Sequence, residues 1–179
     1  MVPCRKTYIA LLSGFFCLIA LTAFAQETLQ PQANFIKEAF DGATAQRKAM
    51  WITKDLRSGI KKILGRDLGV LRVRYWQKGE RTAWILEEIG KEEPITTAVI
   101  INEGKIEQVK VLVYRESRGG EVQYPFFTNQ FKGLFLDKRK ELSHSIDGIT
   151  GATLSVRALK KIAKLALYLD GAIAGSYEK

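Results

Sequence analysis

The sequence predicts an α+β domain, an antiparallel sheet flanked by helices, closed by a C-terminal helix that starts at a glycine- and hydroxyl-rich junction. Three observations predict it. Apolar residues recur at three and four near residues 35 and 60, β-branched and aromatic runs separated by turn residues fill the middle, and a long amphipathic run ends the 179-residue chain.

The first 25 residues stand apart from that plan. Arg5 and Lys6, the apolar run from Ile9 to Phe24 and the small-residue exit at Ala23-Phe24-Ala25 read as a secretory signal peptide cleaved before Gln26. The run is shorter than the ~20 residues a spanning helix needs, and a polar segment, QETLQPQAN, follows it. The residues ahead of Cys17 predict no lipid anchor. Residues 26–65 are then expected to form an N-terminal helical segment and residues 66–179 the main domain.

Pro31 to Phe40 reads as a short helix, with Pro31 suited to its first turn and Phe35, Ile36, Ala39 and Phe40 on one side. A second helix is expected from Lys54 to Leu64, with Leu56, Ile60, Ile63 and Leu64 at core spacing and Gly65 as its terminator. The period then changes. VLRVRYW and TAWILEEI predict two strands joined at Lys78-Gly79, with Trp76 and Trp84 in core or sheet-face positions. ITTAVIINEGKIEQVKVLVYRES predicts a hairpin turning at Asn102-Glu103-Gly104, residues that tolerate positive φ. YPFFTNQFKGLF reads as a loop with a short helix. The last element, from Leu154 to Ala172, places Leu159, Ile162, Ala166, Leu169 and Ile173 on one stripe.

Composition removes several chemistries. Cys4 and Cys17 both lie in the leader, so the mature chain offers no disulfide, cysteine-ligated cluster, haem attachment or thiol catalysis. A single histidine, His144, argues against a zinc or bis-histidine haem site within one chain. Redox chemistry here would need an organic cofactor. The formal charge of +9 falls to +7 once the two leader cations are removed. In an exported protein that charge points to an anionic membrane surface or an acidic partner, not to nucleic acid.

The junction DGITGATLS, Asp147 to Ser155, opens the last helix. A helix start presents unpaired N–H groups and the positive end of the dipole, which suits a phosphate. Gly151 and Ala152 keep the approach clear, while Thr150, Thr153 and Ser155 offer three rim hydroxyls that cap the helix or meet phosphate oxygens. Asp147 would repel a phosphate, so it is expected to order the turn or to hold a metal ion during a transfer step. On these grounds alone the pattern also describes an ordinary capped helix.

The same segment closely resembles the flavinylation motif of the FMN-binding domain family: Asp, two variable residues, Ser or Thr, then Gly-Ala-Thr and often a hydrophobic residue and Ser. Asp147, Thr150, Gly151, Ala152, Thr153, Leu154 and Ser155 match it. The EGKI turn, VLVYRESRGGEV and NQFKG are also similar to the family, so the resemblance covers about Ile95 to Tyr168. It departs at Glu116-Ser117-Arg118-Gly119-Gly120, where members often carry Glu-Thr-Pro-Gly.

The family includes the C subunit of the sodium-translocating NADH:quinone oxidoreductase and the G subunit of the related ferredoxin-oxidising complex. The resemblance implies covalent FMN on Thr153 through a phosphoester, installed by a magnesium-dependent flavin transferase with FAD as donor. Asp147 and Thr150 become recognition or positioning residues. Glu116 either faces the flavin or phosphate-bearing turn or is an exposed strand-end carboxylate, and Phe126, Phe127 and Phe131 either wall the flavin ring or belong to the core. A covalent link suits an exported flavoprotein, because a dissociated cofactor would be lost by dilution. The function expected is electron transfer between a membrane-bound donor and an extracytoplasmic acceptor. An uncleaved leader would instead make the chain an anchored subunit of an ion-translocating complex, and without flavin it would be a non-redox exported binding module.

Overall fold

The computed structural model describes residues 31–42 and 44–175. The leader lies outside them. Among the described residues no helix is long and apolar enough to cross a membrane. The architecture is α+β, with a five-stranded antiparallel meander in the order β1-β2-β3-β4-β5. Its strands are β1 (Gln46–Trp51), β2 (Arg72–Lys78), β3 (Arg81–Ile89), β4 (Pro94–Asn102) and β5 (Lys105–Val113). Helix α1 covers residues 31–39, and α2 spans Lys54–Leu64. The short α3 is Pro125–Thr128, between two 3₁₀ turns, and α4 is Thr153–Ala174.

Strand alternation sorts the side chains onto two faces. Tyr75, Trp84, Leu86 and Val99 point to the face that α2 and α4 cover, packing with Ile60, Leu159, Ile162 and Ala166. Ala83, Ala98 and Ile100 point the other way, beneath Phe35, Ala39 and Phe40 of α1. β4 is buried on both faces from Ile95 to Ile101, which is why its sequence is an unbroken β-branched run and not an alternation. Trp84 is fully buried and stacks on Tyr75 at 4.7 Å. Each large apolar side chain so enclosed is worth about 1.5–3 kcal/mol of transfer free energy.

The two-residue turn of the β4–β5 hairpin has Glu103 at φ 51° and Gly104 at φ 71°, the twist a tight hairpin requires. The structure adds one strand that the sequence did not predict. QRKAMW forms β1 against β2, at the edge of the sheet and inside the segment expected to be helical. Its residues are mostly exposed and carry no apolar alternation, so register with β2 makes this a strand, not its own pattern. β2 also begins two residues later than VLRVRYW suggested, because Val70 and Leu71 are exposed in the preceding connection.

Candidate functional site

The loop Ile146–Ala152 is held from two directions. The Asp147 amide donates to Gln130 Oε1 at 2.8 Å, and the Ala152 amide donates to the Ile149 carbonyl at 3.0 Å, closing a turn through Thr150 and Gly151. Gly151 has φ 83°, so glycine is required there by backbone conformation, although a Cβ would meet open space. Gln130 belongs to NQFKG, and the same segment is tied to the EGKI turn: the Ile106 amide donates to Leu134 O and the Gly133 amide to Ile106 O. Three stretches separated in sequence are thereby joined in one construction.

Helix α4 starts without a side-chain cap. Ala152 occupies the cap position, Thr153 is the first helical residue, and the first turn contains no acid. The earliest intrahelical bond runs from the Val156 amide to the Ala152 carbonyl, so the amides of Thr153, Leu154 and Ser155 precede the ladder. Thr153 is exposed, as are Thr150, Gly151 and Asp147, whereas Ala152 is buried. No side-chain hydrogen bond engages the Asp147 carboxylate among the described residues, and no group of three or more metal-ligating side chains occurs among them.

Ser155 does not stand on the rim where the sequence suggested it. Its side chain is buried, and its Oγ lies 3.0 Å from the Tyr114 hydroxyl. Tyr114 spends its one proton on the Arg118 carbonyl at 2.6 Å, so Ser155 is the donor to Tyr114. This chain of bonds fastens the first turn of α4 to the loop after β5. Gly119, at φ 82°, permits the approach: a Cβ there would lie 3.1 Å from Ala152 Cβ, Ser155 Oγ and Tyr114 Oη alike. Burial holds the Tyr114 hydroxyl above its ordinary pKa, so it stays a donor across the physiological range.

Glu116 is occupied with a task that neither sequence-based expectation describes. Its Oε1 accepts the amides of Lys91, Glu92 and Glu93 at 2.5, 2.8 and 3.1 Å, anchoring the β3–β4 turn. Those donors hold its pKa below the usual glutamate value. A Cβ on Gly90 would come within 2.7 Å of the same oxygen, so the turn needs glycine to close over it.

The loop after β5 and the Thr150-Gly151 turn face each other across a cleft of about 480 Å³. Arg118, Gly119, Glu121 and Tyr124 line one side and Thr150 and Gly151 the other, so the cleft carries one cation and one acid. Of the aromatic residues singled out in the sequence, Phe127 and Phe131 are fully buried in an edge-to-face pair at 5.6 Å and belong to the core. Phe126 is exposed beside Tyr124, with ring centroids 6.4 Å apart. Tyr124, absent from the sequence-based candidates, is thus the aromatic residue at the cleft.

The site fits a phosphate-bearing flat ligand: an open helix start with no acid in its first turn, an exposed threonine there, and beside it a cleft lined by Arg118, Glu121 and the aromatic Tyr124. Residues 90–168 match the family model of the FMN-binding domain, which supports FMN as the cofactor. The chain has no match among curated proteins.

Proposed function

We propose that this chain, in which residues 90–168 form an FMN-binding domain, is an exported flavoprotein that carries FMN on Thr153 and passes electrons between a membrane-bound donor and an extracytoplasmic acceptor. One observation carries the attachment site: Thr153 is an exposed hydroxyl at the first position of an uncapped 22-residue helix. A threonine used only as a cap would sit one residue earlier and accept an amide. This one leaves its oxygen free.

The attachment is a phosphoryl transfer from FAD, catalysed by a magnesium-dependent flavin transferase. Thr153 Oγ1 bonds to the flavin-side phosphorus, the diphosphate bond to AMP breaks, AMP leaves and the hydroxyl proton passes to a base. The resulting diester carries one negative charge where free FMN carries nearly two. The amides of Thr153, Leu154 and Ser155 and the positive end of α4 are suited to that charge, and Arg118 lines the cleft beside Thr150 and Gly151. Gly151 and Gly119 keep backbone close without side-chain obstruction, and Tyr124 offers a flat face to the ring. The bound isoalloxazine supplies the redox chemistry, and the protein supplies attachment and orientation.

Export rests on the leader, and the membrane-bound donor on the resemblance. Co-expression with a flavin transferase tests the attachment: the intact mass should rise by FMN less one water and the protein should be yellow. Thr153→Val should show neither, and an unchanged flavin load in that variant contradicts the assignment.

A further inference from the structure

A cleft of about 1030 Å³ lies on the sheet face opposite α4, between α1 and strands β2 and β3. Trp76 and Ile85 form part of its floor, half-buried against the α1 cluster. Arg47, Arg72, Arg74 and Lys37 surround that floor. Register explains the arrangement. Arg47 pairs with Trp76, Ala49 with Arg74 and Trp51 with Arg72, so these side chains share the outward face of β1 and β2. Trp51 and Ile89, 65% and 52% exposed, extend the apolar surface towards one end.

None of the four cations has an acidic partner among the described residues. Of the four basic residues of α4, two are committed, and Arg157 and Lys160 stand on the helix across the sheet from this cleft. Lys161 bonds to Glu88 and the Leu64 carbonyl, Lys164 pairs with Glu141, and Lys140 sits over the Tyr168 ring. Four cations without an acidic partner among the described residues gather at the cleft, where low-dielectric walls focus their field.

We propose that this cleft receives an acidic segment of a partner protein in which carboxylates alternate with apolar side chains. Charge complementarity chooses the sign, and the arginine forks suit carboxylates in bidentate geometry. The floor chooses against a polyphosphate chain. Trp76 and Ile85 reward apolar side chains, and Glu87, which lines the same cleft, repels an anion brought to every subsite. Concavity chooses against a bilayer, since a flat surface reaches the rim but not Trp76 and Ile85. The cleft lies across the sheet from the Thr153 helix, so a docked partner would leave the flavin motif uncovered.

The test is fluorescence anisotropy of a labelled Glu-Leu-Glu-Phe-Glu-Leu-Glu peptide with the full-length protein at low ionic strength. Binding should weaken at least roughly tenfold in Arg47→Glu/Arg74→Glu, and by a smaller factor in the milder Arg47→Gln. It should hold in the charge-matched Lys62→Glu/Lys105→Glu, whose changes lie elsewhere. The flavin load and circular dichroism of every variant should match the parent. Absence of peptide binding, or equal loss in the two charge-reversed variants, overturns the proposal. Tighter binding to phosphatidylglycerol vesicles, lost in Arg47→Glu/Arg74→Glu, would also overturn it by giving the face to a membrane.

Discussion

Helices α2 and α4 each begin beside a threonine, and the two threonines serve opposite ends. Thr53 is the cap of α2: its backbone is extended and its side chain accepts the Leu56 amide at 3.4 Å. Asp55 adds an acid to the first turn, and Gly65 closes the far end in the left-handed conformation. At α4 the cap is Ala152, the first turn has no acid, and Thr153 is already inside the helix with its hydroxyl exposed. The difference follows from how each helix is stabilised. α2 is 11 residues long with three buried positions, so local terms matter to it. α4 buries twelve of 22 residues, and that packing outweighs a cap worth about 1 kcal/mol. A helix held by its flank can leave its start open for a ligand.

The strongest way to break this contrast is to make α4 resemble α2. Leu154→Asp puts a carboxylate in the first turn of α4, where the exposed Leu154 now stands. Stability should rise by about 0.3–1 kcal/mol through the dipole, while flavin incorporation falls several-fold because the acid occupies the phosphate's place. Urea melts and the flavin-to-protein absorbance ratio report the two effects separately. Movement of both in the same direction would break the argument.

Gly119→Ala attacks the support of the site. The new Cβ meets three atoms at 3.1 Å in a left-handed conformation, so a loss of about 1–3 kcal/mol is expected, with reduced flavin loading. Gly151→Ala has the same conformational strain in open space and should cost less. Equal losses in chemical denaturation would mean that the Tyr114–Ser155 contact does not constrain the loop.

Thr53→Ala should cost about 0.5–1 kcal/mol and leave flavin loading unchanged, since it touches only α2. A changed flavin load would show that the two helix starts are coupled.

Two carboxylates give pH signatures of opposite sign. Glu116 is lowered by its amide donors, so its stabilisation is present above the unfolded pKa and is lost as pH falls through a folded value below 4.5. Asp170, buried at the far end of α4, is raised by desolvation despite the Thr82 hydroxyl that donates to it at 2.5 Å. A raised carboxyl favours the fold when protonated, and that contribution is lost as pH rises from the unfolded pKa through the folded one. Thermal midpoints between neutral pH and about pH 3 should therefore show Glu116→Gln closing its gap to the parent in acid. Asp170→Asn should gain on the parent as pH rises.

What was legible in the sequence was local. The β4–β5 hairpin was announced by Asn102-Glu103-Gly104 between β-branched runs, and α4 by its three-and-four stripe, with a start one residue from the observed one. The motif residues Asp147, Thr150, Gly151 and Thr153 are exposed near one another at the start of α4, although Ala152 between them is buried. The rest depended on partners distant in the chain. Nothing near Ser155 announces Tyr114, and nothing near Glu116 announces the amides of residues 91–93. Phe127 and Phe131, four apart, carried a burial spacing that separates them from Phe126, a signal available but outweighed by their chemistry as ring walls. Tyr124 gave no such signal. Its position at the cleft comes from the turn made by Pro125 and from where the Thr150-Gly151 loop lies.

The central claim is that a single oxygen carries the cofactor, and fragmentation of one peptide tests it most directly. Trypsin should release ELSHSIDGITGATLSVR, residues 141–157, from flavin-loaded protein. Backbone fragments should place the added mass on Thr153, with Thr150 and Ser155 unmodified. Added mass on Thr150 or Ser155, or an unmodified peptide from protein that remains yellow, would contradict the account.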